Sequence, residues 1–214
     1  MKVVDLGTRH GLAITTFLHK VGGFFPDYEG DLSPADCLGV DADELCRHAL
    51  EGQGMSFLHG DMKDSNLWED IPDTEFVLVC NVLHHLPDEK TAKSVLTGAL
   101  GKASYGVWLR VKSFEDDRVN GEGLLHEHGM KFCWADSHVP YKCAELFADI
   151  KEHCPEANIR IEDAKRIRHT NDKRVVPEDA IESGSFYYDP LMGGKEHLSL
   201  PKPVVCEWDI FVEK

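Results

Sequence analysis

Apolar residues follow two rhythms along this chain. Val3-Val4-Asp5-Leu6, Cys37-Leu38-Gly39-Val40-Asp41, Met55-Ser56-Phe57-Leu58 and Phe76-Val77-Leu78-Val79-Cys80 are short, nearly continuous apolar runs, the pattern of strands buried on both faces. Between them Ile14, Phe17, Leu18 and Val21 recur at helical spacing, as do Ala92, Val95, Leu96, Ala99 and Leu100 after Asp88. Asp43 to Leu50 reads as a further helical stretch. Alternating strands and helices predict an α/β protein built on a parallel sheet. Further on, the pattern predicts a strand over Tyr105 to Lys112 and a helix over Tyr141 to His153 with Leu146, Phe147 and Ile150 inward. Ala157 to Ile167 reads as strand six and Val204 to Val212 as a closing strand, with no internal repeat and no low-complexity tract.

The first strand runs into Gly7-Thr8-Arg9-His10-Gly11 and then a helix. Glycines four apart permit tight backbone geometry, and the free amides at the start of the helix face whatever the turn holds. The second run ends in Asp41 and the third is followed by Asp61. A carboxylate at the tip of a second strand accepts the ribose hydroxyls of a bound nucleoside in sheets of this kind. The fourth run leads into Asn81-Val82-Leu83-His84-His85-Leu86-Pro87-Asp88.

In order and spacing these residues resemble the class I S-adenosylmethionine-dependent methyltransferases, over Lys2 to Lys112. That family's first motif is an acid followed by three alternating glycines. Asp5, Gly7 and Gly11 match it, and Arg9 stands where the middle glycine usually sits. The resemblance implies a Rossmann-like, doubly wound, seven-stranded sheet, mostly parallel with an antiparallel C-terminal edge strand. It implies one domain over 1–214, with a cofactor-binding half at 1–112 and an acceptor-side half at 113–214. It implies S-adenosylmethionine as cofactor, held by Asp5, Gly7, Thr8 and Gly11, by Asp41 and Ala42, by Asp61 and Met62 beside the adenine, and by Asn81 and Val82. The helix that usually precedes strand one in the family is absent or lies outside this chain.

Methyl transfer from a sulfonium is an in-line displacement, so the protein chiefly aligns donor and acceptor and excludes water. A base is needed only where the acceptor loses a proton. His85, just past strand four, is the first candidate and His84 the second, while either ring equally suits a structural bond that fixes the turn before Pro87. In such a sheet the acceptor is met by the loops after strands four, five and six: Asn81 to Asp88, Ser113 to Pro140 and Arg168 to Pro203. The last two carry His126, His128, Trp134 and His138, and Phe186, Tyr187 and Tyr188. Gly11 and Asp41 are separated by more than the usual interval of about twenty residues. The surplus, Val21 to Asp36, reads as an ordered loop on the opposite face with no catalytic role.

Composition narrows the acceptor. With 23 Lys and Arg against 38 Asp and Glu the net charge is −15, which repels polyanions and favours a small-molecule acceptor over nucleic acid. The local cluster of Arg160, Lys165, Arg166, Arg168, Lys173 and Arg174 is diluted by Glu162, Asp163 and Asp172 and reads as a solvated strand and loop. Seven cysteines without a C-x-x-C pair, no membrane-length apolar run and no secretory signal give the expectation of a cytoplasmic protein. His126, His128, Cys133, His138, Cys143 and Cys154 lack zinc spacing, and the last two fall on the apolar side of their helix, so no metal is expected.

Three other readings compete. Lys112 and Glu207 stand where ribose 2′-O-methyltransferases of RNA place a lysine and a glutamate, although Asn81 replaces the aspartate of that set. Arg9 and the lack of an unambiguous catalytic residue suit an inactive S-adenosylmethionine-binding regulatory protein. A nicotinamide-dependent oxidoreductase lacks its G-x-G-x-x-G here. DNA adenine methylation is disfavoured because Asn81-Val82-Leu83-His84 lacks the Pro-Pro-aromatic run that grips a flipped base.

Overall fold

The structure, a computed structural model, describes residues 1–113, 123–132, 139, 142–172, 174–178 and 198–214. Its centre is a seven-stranded sheet in the order β3-β2-β1-β4-β5-β9-β7. The strands are β1 (Val3–Leu6), β2 (Cys37–Asp41), β3 (Ser56–His59), β4 (Thr74–Cys80), β5 (Ala103–Lys112), β7 (Asn158–His169) and β9 (Ser199–Glu213). β1, β2, β3, β4 and β5 pair in parallel, and β9 is antiparallel to both β5 and β7. The expected α/β, mostly parallel, seven-stranded sheet with an antiparallel C-terminal strand is therefore present.

The place of that strand differs from the expectation. β9 is one position in from the edge, and β7 is the edge strand itself. Burial explains the exchange. Val204, Val205 and Cys206 are consecutive and buried in β9, as are Asp209 to Val212, so both of its faces are covered and it needs a neighbour on each side. β7 carries Arg160, Glu162, Asp163, Lys165, Arg166 and Arg168 and is largely exposed, the charged character that protects a free edge from pairing with another chain.

Two apolar layers cover the sheet. On one side α4 (Glu89–Lys102) and α6 (Cys143–His153) pack through Ala92, Val95, Leu96, Ala99, Leu100, Leu146 and Ile150, with the short α3 (Leu67–Asp70) beside them. Asp88 caps α4, its carboxylate accepting the Thr91 amide at 2.7 Å. Within α6 the expected inward set needs one correction, because Phe147 is exposed. Leu146 and Ile150 are four apart and share a face, whereas Phe147 is turned away from it by about 100°.

The other side is covered by α1 (Leu12–Phe24) and α2 (Cys46–Glu51), with Ile14, Phe17 and Leu50 buried. Here the Val21 to Asp36 segment is more than a loop. The helix continues through Gly22 and Gly23 to Phe24, and Phe25 then turns under the sheet, 1% exposed. Phe24 and Phe25 meet Phe76, Tyr105, Trp108 and Phe211 of β4, β5 and β9, with ring centroids 4.7 to 6.1 Å apart. Aromatic area of this size outweighs the turn-forming glycines around it.

Beyond the C-terminal ends of β5 and β7 lies a smaller layer. β6 (Met130–Phe132) pairs with β8 (Val175–Pro177), and α5 (Leu124–Glu127) joins them over the extended arms of β7 and β9. Leu124, Leu125, Met130, Ile167, Val175, Leu200, Val204 and Cys206 form its core. These elements fall inside the two segments expected to be long loops. Trp134, His138, Phe186, Tyr187 and Tyr188 lie outside the described residues. No helix among the described residues is long and apolar enough to cross a membrane.

Candidate active site

The carboxyl ends of the parallel strands β1, β2, β3 and β4 lie side by side along one edge of the sheet, and the turn after β1 is the centre of the candidate site. Gly7 and Thr8 both donate their amides to Val40 O, at 2.8 and 3.2 Å, which ties the turn to β2. Gly7 has φ 69° and Gly11 φ 77°, both left-handed. A Cβ on Gly7 would stand 2.7 Å from Val82 Cγ2 and 3.5 Å from Met62 Cε. Three of the residues expected to hold the cofactor, from the ends of β1, β3 and β4, therefore meet at one point.

Arg9 also takes a left-handed backbone, φ 48°, the conformation that the family's middle glycine provides without cost. An L side chain there costs about 1 to 2 kcal/mol. Its compensation is the Arg9 amide, which donates to Asp41 Oδ2 at 2.9 Å. Arg9→Gly is expected to keep this bond and relieve the strain. After allowance for the freer unfolded chain, the net gain is about 0.5 to 1 kcal/mol, checked by urea denaturation.

Asp41 ends β2 with its carboxylate anchored at both oxygens: Oδ2 by the Arg9 amide and Oδ1 by the Asp43 amide at 2.9 Å. An ionised carboxylate has about four acceptor positions, so two remain for incoming hydroxyl donors. Ala42 follows, its carbonyl held by the His59 ring at 3.0 Å. Asp61, after β3, is exposed; its Oδ1 accepts the Lys63 amide at 3.0 Å and its Oδ2 lies 3.2 Å from Lys63 Nζ.

Beneath the turn Asp5 is buried, 1% exposed. Burial raises its carboxyl from the usual 3.8 to about 7, the Thr8 side chain pulls the other way, and the charge of Asp41 adds a smaller upward push. The folded chain therefore keeps a proton that the unfolded chain has lost between these values. Asp5 accordingly makes stability fall as pH rises from about 4 to about 7.

At the end of β4, Asn81 takes a left-handed backbone, φ 59°, and donates its amide to Arg110 O at 2.8 Å. A short 3-10 turn over Leu83–His85 follows. It separates the two candidate bases. His84 is buried, its ring 4.2 Å from that of His85 and its carbonyl accepting the Val139 amide, whereas His85 is partly exposed.

One pairing beside the end of β4 was not expected. Arg110 in β5 forms a two-point ion pair with Asp209 in β9, Nε to Oδ1 and Nη2 to Oδ2, both 2.8 Å. Trp108 Nε1 donates to the same Oδ1 at 2.8 Å. Burial pulls the Arg110 guanidinium down, and Asp209 more than restores it, so it is held charged. Cys80 of β4 lies in register with Arg110, and burial pushes its thiol well above the usual range. The signal was present in the sequence as charged residues interrupting apolar runs at Arg110 and Asp209.

Lys112 lies directly opposite Glu207 in the β5–β9 register, so the pair singled out for ribose methylation is brought together. Glu207 also accepts from Arg174 Nη1 at 3.3 Å. The described basic residues of β7 and its loop are largely engaged nearby: Arg160 with Glu162 and Phe24 O, Arg166 with Asp163, and Arg174 with Asp172. Of the histidines and cysteines considered for a metal, His126 bonds Glu178 and Cys143 and Cys154 pack against the α4–α6 layer. Cys133 and His138 lie outside the described residues.

No protein-family model and no curated protein sequence matches this chain. Solved structures do. A S-adenosylmethionine-dependent methyltransferase from Archaeoglobus fulgidus aligns over 100% of this chain and 86% of its own, with TM-score 0.56 and 12% identity. Magnesium protoporphyrin IX methyltransferase from Synechocystis, with bound S-adenosylhomocysteine, aligns over 100% of this chain and 74% of its own, with TM-score 0.51 and 12% identity. An O-methyltransferase family protein from Burkholderia thailandensis aligns over 74% of this chain at TM-score 0.48 and 18% identity, and the chain spans 47% of that protein's length. The chain thus has the fold of the class I S-adenosylmethionine-dependent methyltransferases.

Proposed function

We propose that this protein is an S-adenosylmethionine-dependent methyltransferase acting on an oxygen or nitrogen of a small molecule. The observation that carries the reading is the Asp41 carboxylate, fixed by two backbone amides with two acceptor positions left, beside a left-handed turn whose Gly7 admits no side chain. That is a fit for a ribose diol and an amino-acid chain lying across bare backbone. Its occurrence on a fold that aligns over its whole length with a S-adenosylmethionine-dependent methyltransferase adds support.

In this reading Gly7, Thr8 and Gly11 form the floor under the methionine portion. Asp41 and Ala42 take the ribose, Asp61 and Met62 border the adenine, and Asn81 and Val82 close the site from β4. The bound cofactor supplies an electrophilic methyl group. The chain's own residues position it, exclude water and, through His85, accept the acceptor's proton. His84, buried in the turn, orients that segment.

The small-molecule class rests on the net charge of −15 and on the local pairing of the described basic residues. Methyl transfer from labelled S-adenosylmethionine into a panel of small phenols, carboxylic acids and amines, run beside unstructured RNA, tests it. Label in a small molecule and none in RNA is expected. Label in RNA alone, lost in Lys112→Ala, would move the assignment to ribose methylation. Cofactor binding with no transfer to any class would favour the regulatory reading.

A further inference from the structure

The turn after β1 is held by side chains from two other parts of the chain. Gly11 donates its amide to Thr8 O at 2.9 Å, so Thr8 to Gly11 is a four-residue turn with Arg9 and His10 at its centre. Arg9 has a positive φ and His10 does not. A turn of that kind favours glycine at its first central position, and here an arginine stands there. A strained residue keeps such a conformation only where its surroundings fix the backbone around it. On one side the Arg9 amide is held by the Asp41 carboxylate. On the other the His10 carbonyl accepts from Gln53 Nε2 at 3.1 Å. Gln53 is itself fixed. It lies just past the end of α2, its amide on Leu50 O at 2.9 Å. Its Nε2 also donates to Ala49 O at 2.7 Å, and its Oε1 lies 3.5 Å from Thr15 Oγ1, which bonds Gly11 O at 2.9 Å. Two carbonyls at one end of the side-chain amide and a hydroxyl at the other set its orientation.

We propose that Gln53 is a positioning residue of the cofactor site: from the end of α2 its amide holds the His10 carbonyl and so keeps Arg9 left-handed, supplying from outside the turn what a glycine at that position would supply by itself. For Arg9 to relax to an ordinary backbone, the peptide groups on its two sides must rotate against each other. The bonds to Asp41 and to Gln53 oppose that rotation. Without Gln53 the turn relaxes, and a ligand that needs the left-handed form must restore it at the expense of its own affinity. That the braced turn receives the cofactor rests on the methyltransferase reading of the site; that Gln53 braces it does not.

The test places Gln53→Met, which keeps the length of the side chain and removes its amide, in the wild type and in Arg9→Gly. Two quantities are read for the four chains: the exchange rate of the Gly11 amide without ligand, by NMR, and the affinity for S-adenosylhomocysteine, by calorimetry. In the wild type, Gln53→Met is expected to speed the exchange and weaken the affinity, each by about threefold to tenfold, the effect of one hydrogen bond. In Arg9→Gly the same substitution is expected to change either quantity by less than about twofold, because glycine keeps a left-handed backbone unaided. Effects of equal size in the two backgrounds would overturn the proposal, since Gln53 would then merely tie α2 to α1. So would an unchanged Gly11 exchange rate, or an unchanged affinity, in Gln53→Met of the wild type. The expected exchange pattern with no binding of S-adenosylhomocysteine by any of the four chains would overturn the cofactor reading and leave the brace standing.

Discussion

Replacing Asp41 by alanine is expected to weaken S-adenosylhomocysteine binding by about 1.5 to 3 kcal/mol, roughly ten- to 150-fold. Two losses combine. The ligand's hydroxyls lose a charged acceptor, and the amides of Arg9 and Asp43 lose the group that fixes the turn around them. Asp41→Asn separates the two, because its carbonyl oxygen still accepts one bond while its NH2 opposes the second amide. An intermediate loss in that variant is expected, read by calorimetric titration. Equal affinities for wild type and Asp41→Ala would remove Asp41 from the site.

Removing the other fixed carboxylate acts on stability. Asp209→Ala leaves the Arg110 guanidinium and the Trp108 indole N–H without their shared acceptor. Breaking a buried ion pair from one side costs about 3 to 5 kcal/mol. The Arg110 side chain is 28% exposed, so water recovers part of this, and a loss of about 2 to 3 kcal/mol is expected from urea denaturation. Asp209→Asn, which still accepts one bond, should lose less. Arg110→Leu combined with Asp209→Ala should recover part of the loss, since no charge is then stranded. A double variant less stable than Asp209→Ala would show that the pair does more than neutralise itself.

The strands of the first half were legible because parallel strands are buried on both faces and announce themselves as unbroken apolar runs. The positions of Gly7, Asp41 and Asp61 were legible for a related reason: they follow strand ends, which the same runs locate. What the sequence concealed depends on contacts distant along the chain. Arg110 and Asp209 are 99 residues apart. Whether β9 is an edge or an inner strand is decided by its pairing with β7, which local pattern does not encode. Phe24 and Phe25 were hidden among glycines and prolines that signal a turn, yet the sheet face above them supplied enough aromatic surface to draw them inward. The small layer of β6, β8 and α5 is built from elements of three and four residues, too short for a period to show. His84 and His85 are neighbours in sequence, and only the 3-10 turn decides that one is buried and the other partly exposed.

The proposed cofactor site is tested most directly by one titration. S-adenosylhomocysteine, which has no methyl group to give, is added to the wild-type chain in a calorimeter with no acceptor present. Saturable one-to-one binding is predicted. No heat of binding, together with no ligand-dependent rise in the unfolding temperature, would mean that the strained turn at Arg9 does not admit the cofactor and that the chain shares the methyltransferase fold without its chemistry.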